Sequence, residues 1–351
     1  MKKLITIVAI LALVGCDKQR DLYVMSNPML GIEGDWMPSL GRNDMTMDAT
    51  VLAYPATGEY IKEYFYNPNK ATLKVTRGTY DVMVFNGLMY SAEQTHLDGV
   101  YFRGIDALNT FEAVAAEGNP IKRLGSRGDG EYIATNDMEI VTSAVQRQDV
   151  NADAGYNIKY KDGKNGNTTP DDYVEAELDM TPIAMSYETQ IFVTVTNISS
   201  AYGASAALYG FAGSAFMAER MPSDFYVAHH LPLNDKEIID QGNDIGKIRS
   251  PKFVTFGPPV DAASGHKYEM YFYVMLVNGE VFEETIDVTD QVEPYIALIQ
   301  DNIDGVQPIK HGIQIVLNVE LELPEAEPVD GGIGVEDWDE DEIIKVPVPK
   351  P

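Results

Sequence analysis

Short segments in which apolar and polar residues alternate recur along the chain, and clusters of Gly, Pro, Asn and Asp separate them. This alternation is typical of half-buried β-strands, because successive side chains of a strand point to opposite faces. The predicted strands cover 47–54, 71–75, 80–85, 100–103, 139–145, 189–196, 268–277 and 281–286. The pattern therefore predicts an all-β protein, with Asn278-Gly279 as one hairpin turn.

Two segments compete with this interpretation as helices. The range 204–221 is rich in Ala and Met, but Gly210 and Gly213 would each cost about 1 kcal/mol inside a helix. Strand and turn are therefore predicted there. The range 296–303 remains a candidate for a short helix.

The last predicted strand follows Gly312 and is the most regular in the chain. One face carries Ile313, Ile315, Leu317, Val319, Leu321 and Leu323, and only Val316 interrupts the alternation. Such a strand can complete the protein's own sandwich, or it can be donated to or complemented by another chain. The intramolecular alternative is favoured.

The chain has 351 residues, enough for two domains at about 150 residues each. The predicted strands fall into two groups, and the polar, turn-rich segment 149–172 between them is expected to be a long loop. The predicted fold is two tandem, predominantly antiparallel β-sandwich domains. We place the N-terminal sandwich at 44–175 and the C-terminal sandwich at 176–323.

The N-terminus predicts a lipoprotein signal peptide over 1–15. Two lysines precede an apolar run, Leu4 to Val14, that is too short to span a bilayer. The run ends in Leu13-Val14-Gly15-Cys16, which resembles the bacterial lipobox, in which the cysteine is diacylated and becomes the first residue. Cys16 is therefore the predicted lipidation site and the link to the outer membrane. The alternative is an ordinary signal peptide with a chance cysteine.

Residues 16–43 follow as the lipidated cysteine and a polar tether, with room for a first strand over Leu22-Tyr23-Val24-Met25. At the other end, 324–351 holds nine acidic residues against two lysines, which is typical of an extended, solvated tail. Trp338 and the pair Ile343-Ile344 interrupt this acidic tail. A tail that only aids solubility has little use for an exposed Trp, so an interaction segment stays equally open.

Charge and cysteine content exclude several classes of partner and site. The formal net charge is −28, from 26 basic and 54 acidic residues. Nucleic-acid binding depends on Lys and Arg neutralising phosphates, so no nucleic acid is expected as a partner, and anionic lipid would be repelled. Cys16 is the one cysteine, which excludes an intramolecular disulfide and a thiolate cluster.

The search for catalytic motifs finds none. The zinc-protease motif HExxH, the nucleophile elbow GxSxG, the Walker loop and GxGxxG are all absent. His229 and His230 are adjacent, so in a strand they point to opposite faces and cannot readily share a metal. The segment 162–172 has oxygen ligands for calcium but departs from EF-hand spacing. We predict no catalytic residue, no metal site and no cofactor, and therefore no enzyme.

Several short motifs together resemble the fimbrillin-like lipoproteins of the Bacteroidetes, a group that includes fimbrial anchor (assembly) subunits and related uncharacterised lipoproteins. These motifs are the lipobox at Cys16, the turn and strand over 77–86 (RGTYDVMVFN), Phe102-Arg103-Gly104 and Asp179-Met180-Thr181-Pro182. The tail segment 331–338 (GGIGVEDW) is similar to tails in that group.

The resemblance implies two tandem transthyretin-like or immunoglobulin-like sandwiches, a lipid anchor in the outer membrane and exposure at the cell surface. It also implies a non-enzymatic role as a fimbrial anchor or fimbria-associated adhesion subunit, joined to other fimbrial subunits by β-strand complementation. The alternative function is a surface glycan-binding lipoprotein, in which Trp36, Tyr64, Phe65 and Tyr66 stack on sugars. Core packing is the competing explanation for the run Tyr64-Phe65-Tyr66.

Overall fold

The computed structural model describes residues 29–36, 49–65, 70–91, 94–95, 97–124, 131–150, 174–233, 235–304 and 313–328. Several predictions lie outside these residues: the signal peptide, Cys16, the strand at 22–25, the calcium candidate at 162–172, Tyr66, and the acidic tail from 329 onward.

The described chain is built from β-strands and one α-helix, so the predicted all-β class is confirmed. The helix, α1, spans Thr289–Ile303. Single 3₁₀ turns lie at Leu108–Thr110, Lys122–Leu124 and Ile198–Ser200. In chain order the strands are β1 (Met29–Gly34), β2 (Ala49–Pro55), β3 (Ile61–Tyr64), β4 (Lys70–Lys74), β5 (Gly78–Asn86), β6 (Met89–Ser91), β7 (Gln94–Thr95), β8 (Val100–Arg103), β9 (Glu112–Ala115), β10 (Thr142–Val150), β11 (Val174–Met180), β12 (Ile183–Ala184), β13 (Tyr187–Thr196), β14 (Ala201–Ala212), β15 (Ser214–Phe216), β16 (Met221–Pro222), β17 (Tyr226–Pro232), β18 (Asp235–Asp240), β19 (Ile245–Arg249), β20 (Phe253–Thr255), β21 (Glu269–Leu276), β22 (Val281–Asp287) and β23 (Gln314–Glu322).

The N-terminal sandwich packs a three-stranded sheet, in the order β11-β1-β4, against a five-stranded sheet, in the order β12-β10-β5-β2-β3. β1 runs antiparallel to β4 and parallel to β11. Alternate residues of β1 and β5, such as Leu30, Ile32, Val82 and Val84, meet in the core between the two sheets. Burial of these apolar side chains is what holds the layers together.

The opposite face of the five-stranded sheet is covered as well. Met83 and Phe85 on this face share a buried cluster with Phe102 in β8 and Phe111 just before β9, in the next layer. That layer is a four-stranded sheet in the order β16-β15-β9-β8, so it combines two strands from each half of the chain. The halves are therefore joined by a shared core.

The C-terminal sandwich packs the sheet β17-β14-β21-β22 against a sheet centred on β13. One side of β13 pairs antiparallel with β19 and β20, and its other side pairs in parallel with β23. β18 extends this sheet beyond β19. The helix α1 lies against β23, and its Val292 and Ile299 enter the core.

Most predicted strands are present within a few residues, and the last strand is intramolecular, as favoured. Residues 201–212 and 214–216 are strands rather than helix, and the predicted helix over 296–303 forms the second half of α1. The strand predicted over 139–145 is observed as β10, Thr142–Val150.

Two predicted boundaries need correction. The segment 16–43, predicted as a tether, contains β1, which lies in the N-terminal core. The border predicted between 175 and 176 falls inside β11, which pairs with β1 along its length. β11 therefore belongs to the N-terminal sandwich, as does β12, which pairs with β10, so the change to the second sandwich comes after Ala184.

Candidate functional site

Three of the four aromatic residues named for the sugar-stacking alternative, Trp36, Tyr64 and Phe65, lie in the described part of the chain. Trp36 and Phe65 are buried in the N-terminal core, where their rings meet edge to face with centroids 6.0 Å apart. Tyr64 is half-buried, and its hydroxyl donates a hydrogen bond to the carbonyl oxygen of Met89 at 3.0 Å. Burial of Trp36 and Phe65 excludes these two rings as a sugar-stacking surface, and core packing explains them.

His229 and His230 point to opposite faces of β17, as predicted. The His229 ring lies 5.4 Å from the ring of Phe253 within the C-terminal sandwich, and neither of its nitrogens has a hydrogen-bond partner among the described residues. Burial, followed by the nearby His230, lowers the pKa of His229 to about 3. His230 faces the N-terminal half, where its Nδ1 accepts a hydrogen bond from the Ile121 N–H at 3.0 Å.

The two histidines therefore cannot bind one metal ion together. Within the described part of the chain, no group of three or more His, Cys, Asp or Glu side chains is close enough to hold a metal.

A cleft at the junction of the two halves brings together half-buried aromatic side chains from separate segments. We call it the aromatic cleft and define it by Tyr132, Tyr209, Phe225, Tyr226 and His266. Its volume is about 330 Å³, and Glu131 and Lys267 add a carboxylate and an ammonium group to its lining. Sites for small ligands have this composition, mostly aromatic or apolar with a few polar groups.

Backbone pairing positions Tyr132 in the aromatic cleft. The segment 131–134 lies along the outer edge of β17, where the Ala228 N–H donates to the Tyr132 carbonyl oxygen and the Ala134 N–H donates to the Ala228 carbonyl oxygen, both at 2.9 Å. The Tyr132 hydroxyl then donates to the Ala115 carbonyl oxygen at 2.8 Å. The ring is thereby held edge to face against Phe225, with centroids 5.3 Å apart.

Two glycines allow the other rings to approach the sheet. Gly210 has a φ of +94° and forms a bulge between Tyr209 and Phe211. A Cβ at this position would lie 2.7 Å from the Lys267 carbonyl oxygen and 3.0 Å from His266 Nε2. Gly213 plays the same part for Phe225, whose ring carbon would lie 2.8 Å from a Cβ there.

The bulge also fixes the His266 ring. His266 Nε2 lies 3.0 Å from the Gly210 carbonyl oxygen, and since a carbonyl can only accept, Nε2 carries the proton. The ring stacks on Tyr226 with centroids 4.2 Å apart and an interplanar angle of 19°. Main-chain contacts therefore position the rings of Tyr132 and His266.

Two edges of the C-terminal sandwich bear on strand complementation. β23 has its free edge covered by side chains of α1. The Gln291 amide donates to the Asn318 carbonyl oxygen and accepts from the Asn318 N–H, both at 2.8 Å. The Tyr295 hydroxyl likewise donates to the Val316 carbonyl oxygen at 3.1 Å and accepts from the Val316 N–H at 3.0 Å.

The residue spacing of the helix matches that of the strand. Gln291 and Tyr295 are four helical residues apart, about 6 Å along the axis, and their partners Asn318 and Val316 are two strand residues apart, about 6.6 Å. The same side-chain pair therefore occupies the positions that a neighbouring strand would take. β18, at the opposite border of the sheet, instead exposes Ile238 and Ile239, each about half accessible to solvent.

A membrane-spanning helix is not found in the described part of the chain, where every helix is too short or too polar for one.

A family model described as a domain of unknown function, DUF5119, matches residues 15–230, which is more than half of the chain. The chain belongs to the DUF5119 family. No curated protein matches this DUF5119 chain. The family match ends at His230, so His266 and Lys267 of the aromatic cleft lie beyond it.

Among solved structures, the DUF5119 protein is similar to a candidate adhesin from Bacteroides ovatus, with 14% identity and a TM-score of 0.53, over 86% of this chain and 94% of that chain. A candidate polysaccharide-binding protein of family DUF1812 from Bacteroides thetaiotaomicron has 10% identity and a TM-score of 0.47, over 85% and 93%. The fimbrial anchor protein Mfa2 from Porphyromonas gingivalis has 10% identity and a TM-score of 0.41, over 84% and 90%.

The first of these similarities shows a shared fold. Together, the two comparisons place the chain in the DUF5119 family and show that its fold is shared with a Bacteroides protein described as a candidate adhesin.

Proposed function

We propose that this DUF5119 protein is a non-enzymatic outer-membrane lipoprotein that acts at the cell surface as a fimbrial anchor or fimbria-associated subunit in adhesion. The observation that carries the proposal is the tandem-sandwich fold shared with the candidate adhesin over 86% of this chain and 94% of that one. Because both sandwiches are included, the similarity concerns the whole arrangement rather than one common domain.

The membrane attachment in this proposal is lipid on Cys16. Each buried CH₂ of an acyl chain contributes about 0.8 kcal/mol, and two or more chains give stable anchoring. Between Cys16 and the start of β1 at Met29 lie 12 residues, 17 to 28, which if extended reach at most about 43 Å. This length leaves the N-terminal sandwich close to the membrane.

We further propose that other fimbrial subunits attach by strand complementation at β18. An added strand needs a free row of main-chain N–H and C=O groups, and an apolar side chain beside it favours pairing. The edge of β23 is occupied by Gln291 and Tyr295, whereas β18 presents Ile238 and Ile239 to solvent. β18 is therefore the better acceptor edge of this sheet.

The test is an unboiled denaturing gel of sheared surface material and of outer membranes, immunoblotted for this chain in the wild type and in Cys16→Ala. Donated strands often survive detergent until heated, so the expected result is a heat-sensitive ladder at the membrane that the mutant sheds into the medium. A single monomer band in both strains would reject the fimbrial assignment.

The edge is tested in the same gel with the double substitution Ile238→Lys and Ile239→Lys. We expect the ladder to disappear, because a charge beside the edge opposes pairing. Val281→Lys is the matched control, since Val281 is 47% exposed on β22, the border strand of the other sheet. An unchanged ladder in the double variant would exclude β18 and leave the anchor assignment to the first experiment.

A further inference from the structure

The aromatic cleft holds five partly exposed rings in one place, in contrast to the aromatic cluster of the shared core. Phe85, Phe102 and Phe111, for example, are buried and contact one another in the interior. Aromatic surface left in contact with water forgoes the stabilisation that burial would supply, and a concave group of such surfaces is the usual lining of a ligand site.

The cleft is also organised before any ligand arrives. Tyr132 is held through its main chain and its hydroxyl, and His266 is held by the Gly210 carbonyl oxygen and by stacking on Tyr226. Side chains fixed in this way lose little further freedom on binding, which favours affinity in a shallow site.

The chemistry of the lining fits a sugar ring. A pyranose presents C–H groups on its faces and hydroxyl groups around its edge. The C–H hydrogens carry partial positive charge and pack on the negative face of an aromatic ring, while hydroxyls exchange hydrogen bonds with groups such as Glu131 and Lys267. At about 330 Å³ the cleft is at the small end of ligand sites, which suits one or two sugar units.

The charge of the protein narrows the choice of sugar. A chain with a net charge of −28 repels anionic glycans over the distance that salt does not screen. Neutral sugars experience no such repulsion. We propose that the aromatic cleft binds a neutral pyranose unit of a glycan chain. This inference deepens the proposed adhesion function and rests on it for its biological role, because an adhesin needs a ligand to hold.

The experiment is isothermal titration calorimetry on the full chain purified in detergent. The probes are neutral oligosaccharides of mannose, galactose, xylose and N-acetylglucosamine, with sialyllactose as the anionic comparison. Tyr226→Ala removes a ring of the cleft and Tyr226→Phe keeps it. Tyr64→Ala is the matched control, because Tyr64 is a half-buried tyrosine that contacts Tyr90 in the N-terminal half.

We expect at least one neutral oligosaccharide to bind, with an affinity that falls by about tenfold or more in Tyr226→Ala and changes by less than about threefold in the other two variants. Melting curves identify variants that fold. If Tyr226→Ala does not fold, the double variant Glu131→Gln and Lys267→Gln replaces it, and the same loss is expected there.

Three results would overturn the inference: no binding of any neutral oligosaccharide, unchanged affinity in the folded cleft variant, or preferential binding of sialyllactose. The fimbrial proposal is tested separately, because the gel ladder does not depend on sugar. A ladder without sugar binding rejects the cleft alone, and sugar binding without a ladder rejects the fimbrial role alone.

Discussion

Removing the side chains that cover β23 should both destabilise the fold and open an edge for self-association. The double substitution Gln291→Ala and Tyr295→Phe deletes four hydrogen bonds of 2.8 to 3.1 Å to the main chain of Val316 and Asn318. It leaves the apolar contacts of α1 with the core in place, since Val292 and Ile299 are unchanged and Phe retains the ring.

The expected loss follows from the exposure of each bond. The Gln291 bonds are solvent-exposed, so water replaces them and their net value is about 0.5 kcal/mol each; Ala recovers a few tenths through helix propensity. The Tyr295 bonds are partly buried, at about 1 kcal/mol each. The double variant should therefore lose about 2 to 3 kcal/mol of the free energy of unfolding.

Guanidinium denaturation measures that free energy, and sedimentation velocity measures association at increasing concentration. Tyr271→Phe is the matched control, because its hydroxyl makes one exposed bond to Glu283 and its loss should stay within about 0.5 kcal/mol. A double variant that keeps the wild-type free energy and the wild-type sedimentation profile would refute the role of α1 as an edge cover.

Three further predictions concern single residues. Gly210→Ala should cost about 1 to 3 kcal/mol in denaturant unfolding, because the φ of +94° is strained for Ala and its Cβ would meet the Lys267 carbonyl oxygen; Gly265→Ala, at a similar φ with no atom within 4 Å, separates strain from this contact. His229 has a pKa of about 3 in the folded protein and about 6.5 when unfolded, so the free energy of unfolding is full above pH 6.5 and falls by about 2 kcal/mol at pH 5. His229→Leu should abolish this fall in denaturant unfolding measured across pH, and an unchanged pH dependence in the variant would argue against a neutral His229. Trp36→Ala should cost about 3 to 5 kcal/mol in the same unfolding assay, as for a core ring, whereas a loss under about 1 kcal/mol would point to a surface role.

The strands that the sequence predicted well are those with one buried face. Along β13 buried and half-buried residues alternate without exception, and β23 and β21 are nearly as regular. In such strands the polar residues lie on the outer face and the apolar residues on the inner face, so the sequence alternates with a period of two. Gly210 and Gly213 predict strand and turn rather than helix over 204–221, and the strands β14 and β15 confirm this.

Pattern reasoning failed where both faces of a strand are covered or where partners are distant. β2 is buried almost throughout, because the five-stranded sheet lies between two other layers, so nothing in its alternation reveals the third layer. β1 and β11 are parallel neighbours more than 140 residues apart, and β11 (VEAELDM) reads as acidic. The sequence of neither strand indicates which strand it pairs with.

The aromatic cleft was missed for a related reason. Its rings come from four segments, 132, 209, 225–226 and 266, each of which contains too few residues to form a motif. The sequence feature that points to the cleft is the pair Gly210 and Gly213. These glycines argue against a helix, and in the structure they also make room for the close approach of Phe225 and His266. A glycine is needed at 210 because the loop carrying His266 passes against the bulge, so the residue that ruled out one structure is the residue that makes the cleft possible.

The extent of the family match agrees with the shared core of the two halves. The match covers 15–230 and so ends in β17, well inside the second half of the chain. The N-terminal sandwich alone would leave Met83 and Phe85 facing water, because their cover includes β8 and β9, and those strands pair onward with β15 and β16. β17 then closes this layer by pairing with the segment 131–134. Strands from both halves of the chain are therefore needed to cover the second face of the five-stranded sheet, which is a physical reason for the match to continue past the border between the sandwiches.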